Sequence, residues 1–178
     1  MAKPSTKPVP ELDLAIQIDA GSVQVPSRAK LRAWIAAALR ARARITLRIV
    51  GAREARVLNR DYRGRDYATN VLTFVYSVRP LCADIAICAP VVIREARMRG
   101  ISGLAHFAHL TVHGVLHARG YDHEQSADAH RMESQEVRIL RRLGYADPYA
   151  EQAPRIERAP ATARARAARA NTAGVHGR

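Results

Sequence analysis

The stretch VLTFVYSVRPLCADIAIC, residues 71–88, reads as two strands in close succession. VLTFVYS (71–77) and CADIAIC (82–88) are rich in β-branched and other apolar residues, and only Val78–Leu81 separates them. Two segments upstream alternate polar and apolar side chains with the period of a strand. ELDLAIQIDA (11–20) places Leu12, Leu14, Ile16 and Ile18 on one side, and ARITLRIV (43–50) does so with Ile45, Leu47 and Ile49. Ser27, after Pro26, is a suitable N-cap for a helix through Arg42 that puts Leu31, Trp34, Ile35 and Ala38 on one face. Gly51 opens a second helix to about Tyr62, and the turn-rich RGRDYATN (63–70) follows. From Pro90 onward the pattern is helical, over 90–99, about 103–119 and about 126–143. The expected fold is an α+β single domain, a small mixed four-stranded sheet packed with helices.

The chain has 178 residues, 48% hydrophobic and 25% charged, enough to bury a core. No apolar run approaches the ~20 residues that span a bilayer, and MAKPSTKPVPELDL has no apolar region of the secretory kind. The expectation is a cytoplasmic protein without a membrane partner. Cys82 and Cys88 are too few for a disulfide framework or a four-cysteine zinc module, and their spacing reads as two core residues on one face of a strand. The net charge is +13, and all 29 basic residues but Lys3, Lys7 and Lys30 are arginines. Such a surplus favours polyanionic partners, nucleic acid first. Residues 155–178 carry six arginines and one glutamate, which leaves +8 on residues 1–154. Basic character is therefore not confined to the end. The reading is a loose leader at 1–10, one domain at 11–149, and a basic, disordered tail at 150–178.

Chemistry concentrates in HLTVHGVLHARGYDHE, residues 109–124. His113 and His117 stand one helical turn apart and project from the same face. Gly120 stops the helix, and the turn after it would bring His123 back toward the pair. Three neutral imidazoles from a helix and its following loop make an open three-ligand zinc site, one ion per chain, with a fourth position for water. The pattern H-x-x-x-H-x-x-G-x-x-H shares its spacing with the metzincin peptidase motif. Where those peptidases carry a glutamate base, this chain has Gly114. His109, one turn before His113, is a candidate for substrate contact or for support of a ligand. On the last helix Met132, Glu136, Ile139 and Leu143 share a face, with Met132 read as core and Glu136 as a partner of a ligand imidazole or of an arginine. Asp122 is a supporting carboxylate or a turn residue.

HGVLHARGYDHE (residues 113–124) resembles the signature of the YbeY family, bacterial rRNA maturation factors with metal-dependent endoribonuclease activity. LNRDYRGRDYATNVLTF (58–74), ADIAI (83–87) and MESQEVRILRRLGYADPY (132–149) resemble further blocks of that family, so the likeness covers about 11–149. Ala83, Arg65, Ala68 and Thr73 stand where the family has glycine, lysine, proline and serine. The resemblance implies His113, His117 and His123 as zinc ligands and Arg63 as an active-site arginine, with Arg65 a weaker candidate for substrate binding. It implies single-stranded RNA, rRNA and ribosomal subunits as partners, in 16S 3′ end maturation and ribosome quality control. An arginine beside an uncompensated divalent ion suits a phosphodiester. The rival readings are a metallopeptidase, permitted by the spacing and opposed by Gly114, and a non-catalytic RNA-binding assembly factor whose zinc is structural.

Overall fold

The computed structural model describes residues 11–121 and 126–150. The expected leader, nearly all of the expected tail, and Asp122 and His123 lie outside the described residues. The fold described is that of the unit Met1–Pro148; of a second unit, Tyr149–Arg178, only the first two residues are described.

The elements run β1 (Leu12–Asp19), α1 (Arg28–Ala38), β2 (Ala43–Val50), α2 (Ala52–Arg63), β3 (Val71–Val78), β4 (Leu81–Cys88), α3 (Ala89–Met98), α4 (Gly103–Ala118) and α5 (Ser126–Arg142). The four strands form one sheet in the order β1-β2-β4-β3. β1, β2 and β4 are mutually parallel, which needs helical crossovers, and β3 joins as an antiparallel edge through the tight Arg79–Pro80 connection. The mixed four-stranded α+β architecture is as the sequence predicts. No helix among the described residues is long and apolar enough to cross a membrane.

One face of the sheet, built from Ile45, Leu47, Ile49, Ala83, Ile85 and Ile87, packs under α1 and α4, with α5 laid against α4. The other carries a smaller cluster of Val50, Ala55, Cys88 and Val91 against α2 and α3. Cys88 is buried as expected, but Cys82 is only half-buried. In α1, the Ser27 side chain accepts from the Lys30 N–H at 3.4 Å, and Leu31, Trp34, Ile35 and Ala38 are the buried residues. The helix ends at Ala38 rather than Arg42. Leu39 is extended (φ −86°, ψ 154°), and Ala43 N–H donates to the Glu11 carbonyl at 3.0 Å. Register with β1 therefore starts β2 at Ala43 and takes the intervening residues out of the helix.

α4 is apolar on nearly every side, because it lies between the sheet and α1, α3 and α5. It ends where the sequence places its stop: Gly120 has φ +87°, and its N–H donates to the His117 carbonyl at 2.9 Å. In α5, Met132 is core at 2% exposure.

Candidate metal centre and cleft

His109, His113 and His117 fall on successive turns of α4, with ring centroids 6.1 Å apart for the first pair and 4.5 Å for the second. Gly114 lets this helix sit directly on the sheet. Thr73 Oγ1 donates to the Gly114 carbonyl at 3.4 Å, and a Cβ at 114 would stand 2.9 Å from Ile85 Cγ2 and 3.3 Å from Thr73 Oγ1. The missing side chain that the sequence shows as a lost peptidase base is thus also a packing requirement.

Glu136 of α5 is fully buried beneath these histidines. His113 Nδ1 donates to its Oε1 at 2.7 Å, and His109 Nε2 donates to its Oε2 at 3.2 Å. Burial pushes the Glu136 carboxyl up, yet the hydrogen bonds from His109 and His113 outweigh that and hold it down to about 2. With the proton of His113 on Nδ1, its coordinating lone pair belongs to Nε2. Of the two partners the sequence offers for Glu136, the structure gives it the imidazoles. His109, at 9% exposure, lies deep beside this carboxylate.

His109, His113 and Glu136 bring one ligand atom each within 4.8 Å of one another and could hold a metal ion. Two of those contacts, however, are hydrogen bonds around a fully buried carboxylate. His113 and His117, half-buried, instead line a cleft of about 310 Å³ with Arg63, Thr69, Asn70 and Thr73. Two imidazoles one turn apart, one of them oriented through its far nitrogen by a carboxylate, are a donor set that fits a divalent transition metal. Their place in the last turns of α4 puts a cation at the negative end of the helix dipole. No carboxylate is among the described residues lining the cleft.

Arg63 enters the cleft from the last turn of α2, which Gly64 closes in the left-handed conformation (φ +66°). The loop beyond is tied down at several points. Arg56 meets Asp66 through two hydrogen bonds of 2.7 and 2.6 Å, and the buried Asn59 Nδ2 donates to the Tyr67 carbonyl at 2.8 Å. At its end the Asn70 carbonyl accepts from Cys88 N–H at 2.8 Å, and Asn70 Nδ2 donates to Glu95 at 3.1 Å. Glu95 also accepts from His106 Nε2 at 2.8 Å; burial pulls the His106 pKa down against the raising effect of Glu95. Arg65 turns away to the Tyr67 hydroxyl at 3.3 Å and is not among the residues lining the cleft. Asn59, Asn70 and the Glu95–His106 pair carry no role in the sequence reading. Their hint was polar residues bounding a turn-rich loop or lying on helical apolar faces, where only a backbone or side-chain partner explains burial.

The family model of the endoribonuclease YbeY matches residues 16–144. A relative from Methylibium petroleiphilum, named Endoribonuclease YbeY, is 56% identical over 151 residues, covering 84% of this chain and 100% of the relative. One of the same name from Verminephrobacter eiseniae is 54% identical over 151 residues, covering 82% and 98%. Among solved structures, a Thermotoga maritima protein aligns with a TM-score of 0.48 at 22% identity, over 74% of this chain and 91% of that one.

Proposed function

The chain belongs to the YbeY endoribonuclease family, and from that premise we propose that it is a zinc-dependent hydrolase cutting single-stranded RNA within the cytoplasmic processing of rRNA. Its targets on this reading are the 3′ end of 16S rRNA and ribosomal subunits under quality control. The observation that carries the chemistry is the cleft itself, which joins His113 and His117 to a cationic Arg63 and holds no carboxylate among its described lining residues.

His113 Nε2, His117 and His123 would hold one zinc ion, the last from outside the described residues. When bound, zinc supplies Lewis acidity toward a phosphoryl oxygen and acidifies water. The protein's own residues do the rest. Glu136 keeps the His113 proton on Nδ1 and fixes the ring. Arg63 binds a phosphodiester oxygen as a planar fork and neutralises the charge that develops there. Asn59, through the Tyr67 carbonyl, and Asn70, through Glu95, hold the middle and the end of the loop whose Thr69 and Asn70 line the cleft. We assign Arg65 and His109 lesser parts, Arg65 as an exposed contact for flanking RNA and His109 as a support for Glu136.

A peptidase needs a carboxylate to move a proton from water to the leaving amine. Gly114 provides none, and a Cβ at this position would already stand 2.9 Å from Ile85 Cγ2. Arg63→Ala tests the assignment: RNA cleavage should fall by at least ~100-fold with zinc content unchanged, on the scale of losing one preorganised donor. Peptide hydrolysis by the wild type, or full RNA cleavage by Arg63→Ala, would overturn it.

A further inference from the structure

A second concavity, of about 380 Å³, opens just beyond the C-terminal end of α4 and is walled by Arg40, Arg42, Arg79 and Arg119 together with Val78 and Leu81. Nothing in the cleft chemistry uses these arginines. Arg42 pairs with Glu11 at 3.4 Å, but among the described residues no carboxylate forms an ion pair with Arg40, Arg79 or Arg119. Arg119 is held in place: it donates to the Ala38 carbonyl at 2.7 Å, and its guanidinium lies 5.3 Å from the centre of the Tyr121 ring. Burial and, to a lesser degree, the charge of Arg40 weigh against its cationic form, so like charges are gathered here against their own repulsion. Cations confined in a concavity focus potential and draw an anion.

The position of the groove says what kind of anion. Val75 lines the cleft and Val78 lines the groove, both on edge strand β3. A bulge between Val75 and Ser77 pairs Val75 with Ala83 and Val78 with Leu81, two residues on the same side of β4. Without the extra residue the two valines would face opposite sides of the sheet. With it, the two valines face the same side of the sheet, about 7 Å apart along the strand, the rise of the two β4 residues opposite them. Cleft and groove therefore follow one another along the edge strand, an arrangement that suits a linear polyanion better than an isolated ion.

We propose that this arginine groove binds the backbone phosphates of the RNA strand that flanks the segment in the cleft. The proposal rests on the RNA-cleaving reading above. Its test uses the full chain with Arg40→Ala/Arg79→Ala, two exposed positions, and a control with lysine at both. Binding of labelled single-stranded RNA is followed by anisotropy where the RNA stays intact on a gel, and by KM where it is cut. Loss of two phosphate contacts should weaken long RNA about tenfold and reduce the slope of log affinity against log salt by about 1.4. Melting temperature, zinc content, kcat, and affinity for an oligonucleotide short enough to fill only the cleft should all stay at wild-type values. Lysine at both positions should restore the slope. An unchanged slope and affinity on long RNA would overturn the groove, as would an equal loss on the short oligonucleotide. A loss seen with polyglutamate while RNA is unaffected would overturn it in favour of an acidic protein partner. RNA binding that depends on Arg40 and Arg79 without any cleavage would support the groove and overturn only the catalytic reading.

Discussion

Replacing Glu136 by glutamine changes one atom in the fully buried heart of the site. The carboxylate accepts through both oxygens, from His113 Nδ1 at 2.7 Å and His109 Nε2 at 3.2 Å. An amide of the same size accepts through one and donates through the other. One imidazole must then face an NH₂ group. If it is His113, its proton moves to Nε2, the nitrogen offered to the metal, and affinity should fall by about 10–100-fold, the usual cost of losing an orienting partner. If it is His109, the metal is kept, and the ring must change tautomer or leave a buried donor facing a donor, at a cost of about 1–3 kcal/mol. For a chain of this length that is roughly 2–4 °C of melting temperature per kcal/mol. A chelator-competition titration reads the first and calorimetry of the metal-free protein reads the second. Metal affinity within threefold of wild type together with an unchanged melting temperature would refute the role given to Glu136.

Gly114→Ala sets a helix-propensity gain of about 1 kcal/mol against overpacking of about 1–3 kcal/mol at Ile85 and Thr73, so the variant should melt at or below the wild-type temperature; a clear rise would show that the sheet contact is soft. His117→Ala should lose the metal while His130→Ala, an exposed residue near Glu133, should keep it, as read by metal analysis of the purified proteins. The Glu136 carboxyl is depressed in the folded state from an ordinary 4.5 to about 2; its stabilisation is present above the ordinary value and lost as pH falls through that interval. Acid titration of the metal-free protein should therefore show a flatter loss of stability over this window in Glu136→Gln than in the wild type.

Most of the fold was legible because its elements obey simple periods. β1 and β2 alternate, α1 repeats its apolar face behind a serine cap, and Gly120 ends α4 where a glycine past an apolar run should. The end of α1 was not legible: residues 39–42 have nothing against a helix, and only the pairing of Ala43 with Glu11 removes them from it. The His113–His117 pair could be read from its spacing, and Glu136 from its place on an apolar stripe. Which partner Glu136 would choose could not, because α4 and α5 meet through tertiary packing. Asn59 and Asn70 act through backbone groups of a loop and through Glu95, contacts that leave no periodic trace. The bulge in β3 was equally hidden, since Tyr76 fits the strand pattern as well as its neighbours do.

RNA cleavage by this chain should run on a metal held by His113, His117 and His123. Cleavage of one defined single-stranded RNA should be measured on the purified full chain, after exhaustive chelation, and after zinc is returned. The expected course is cleavage, then none, then recovery. Cleavage that continues at its original rate in protein shown by elemental analysis to be metal-free would contradict it.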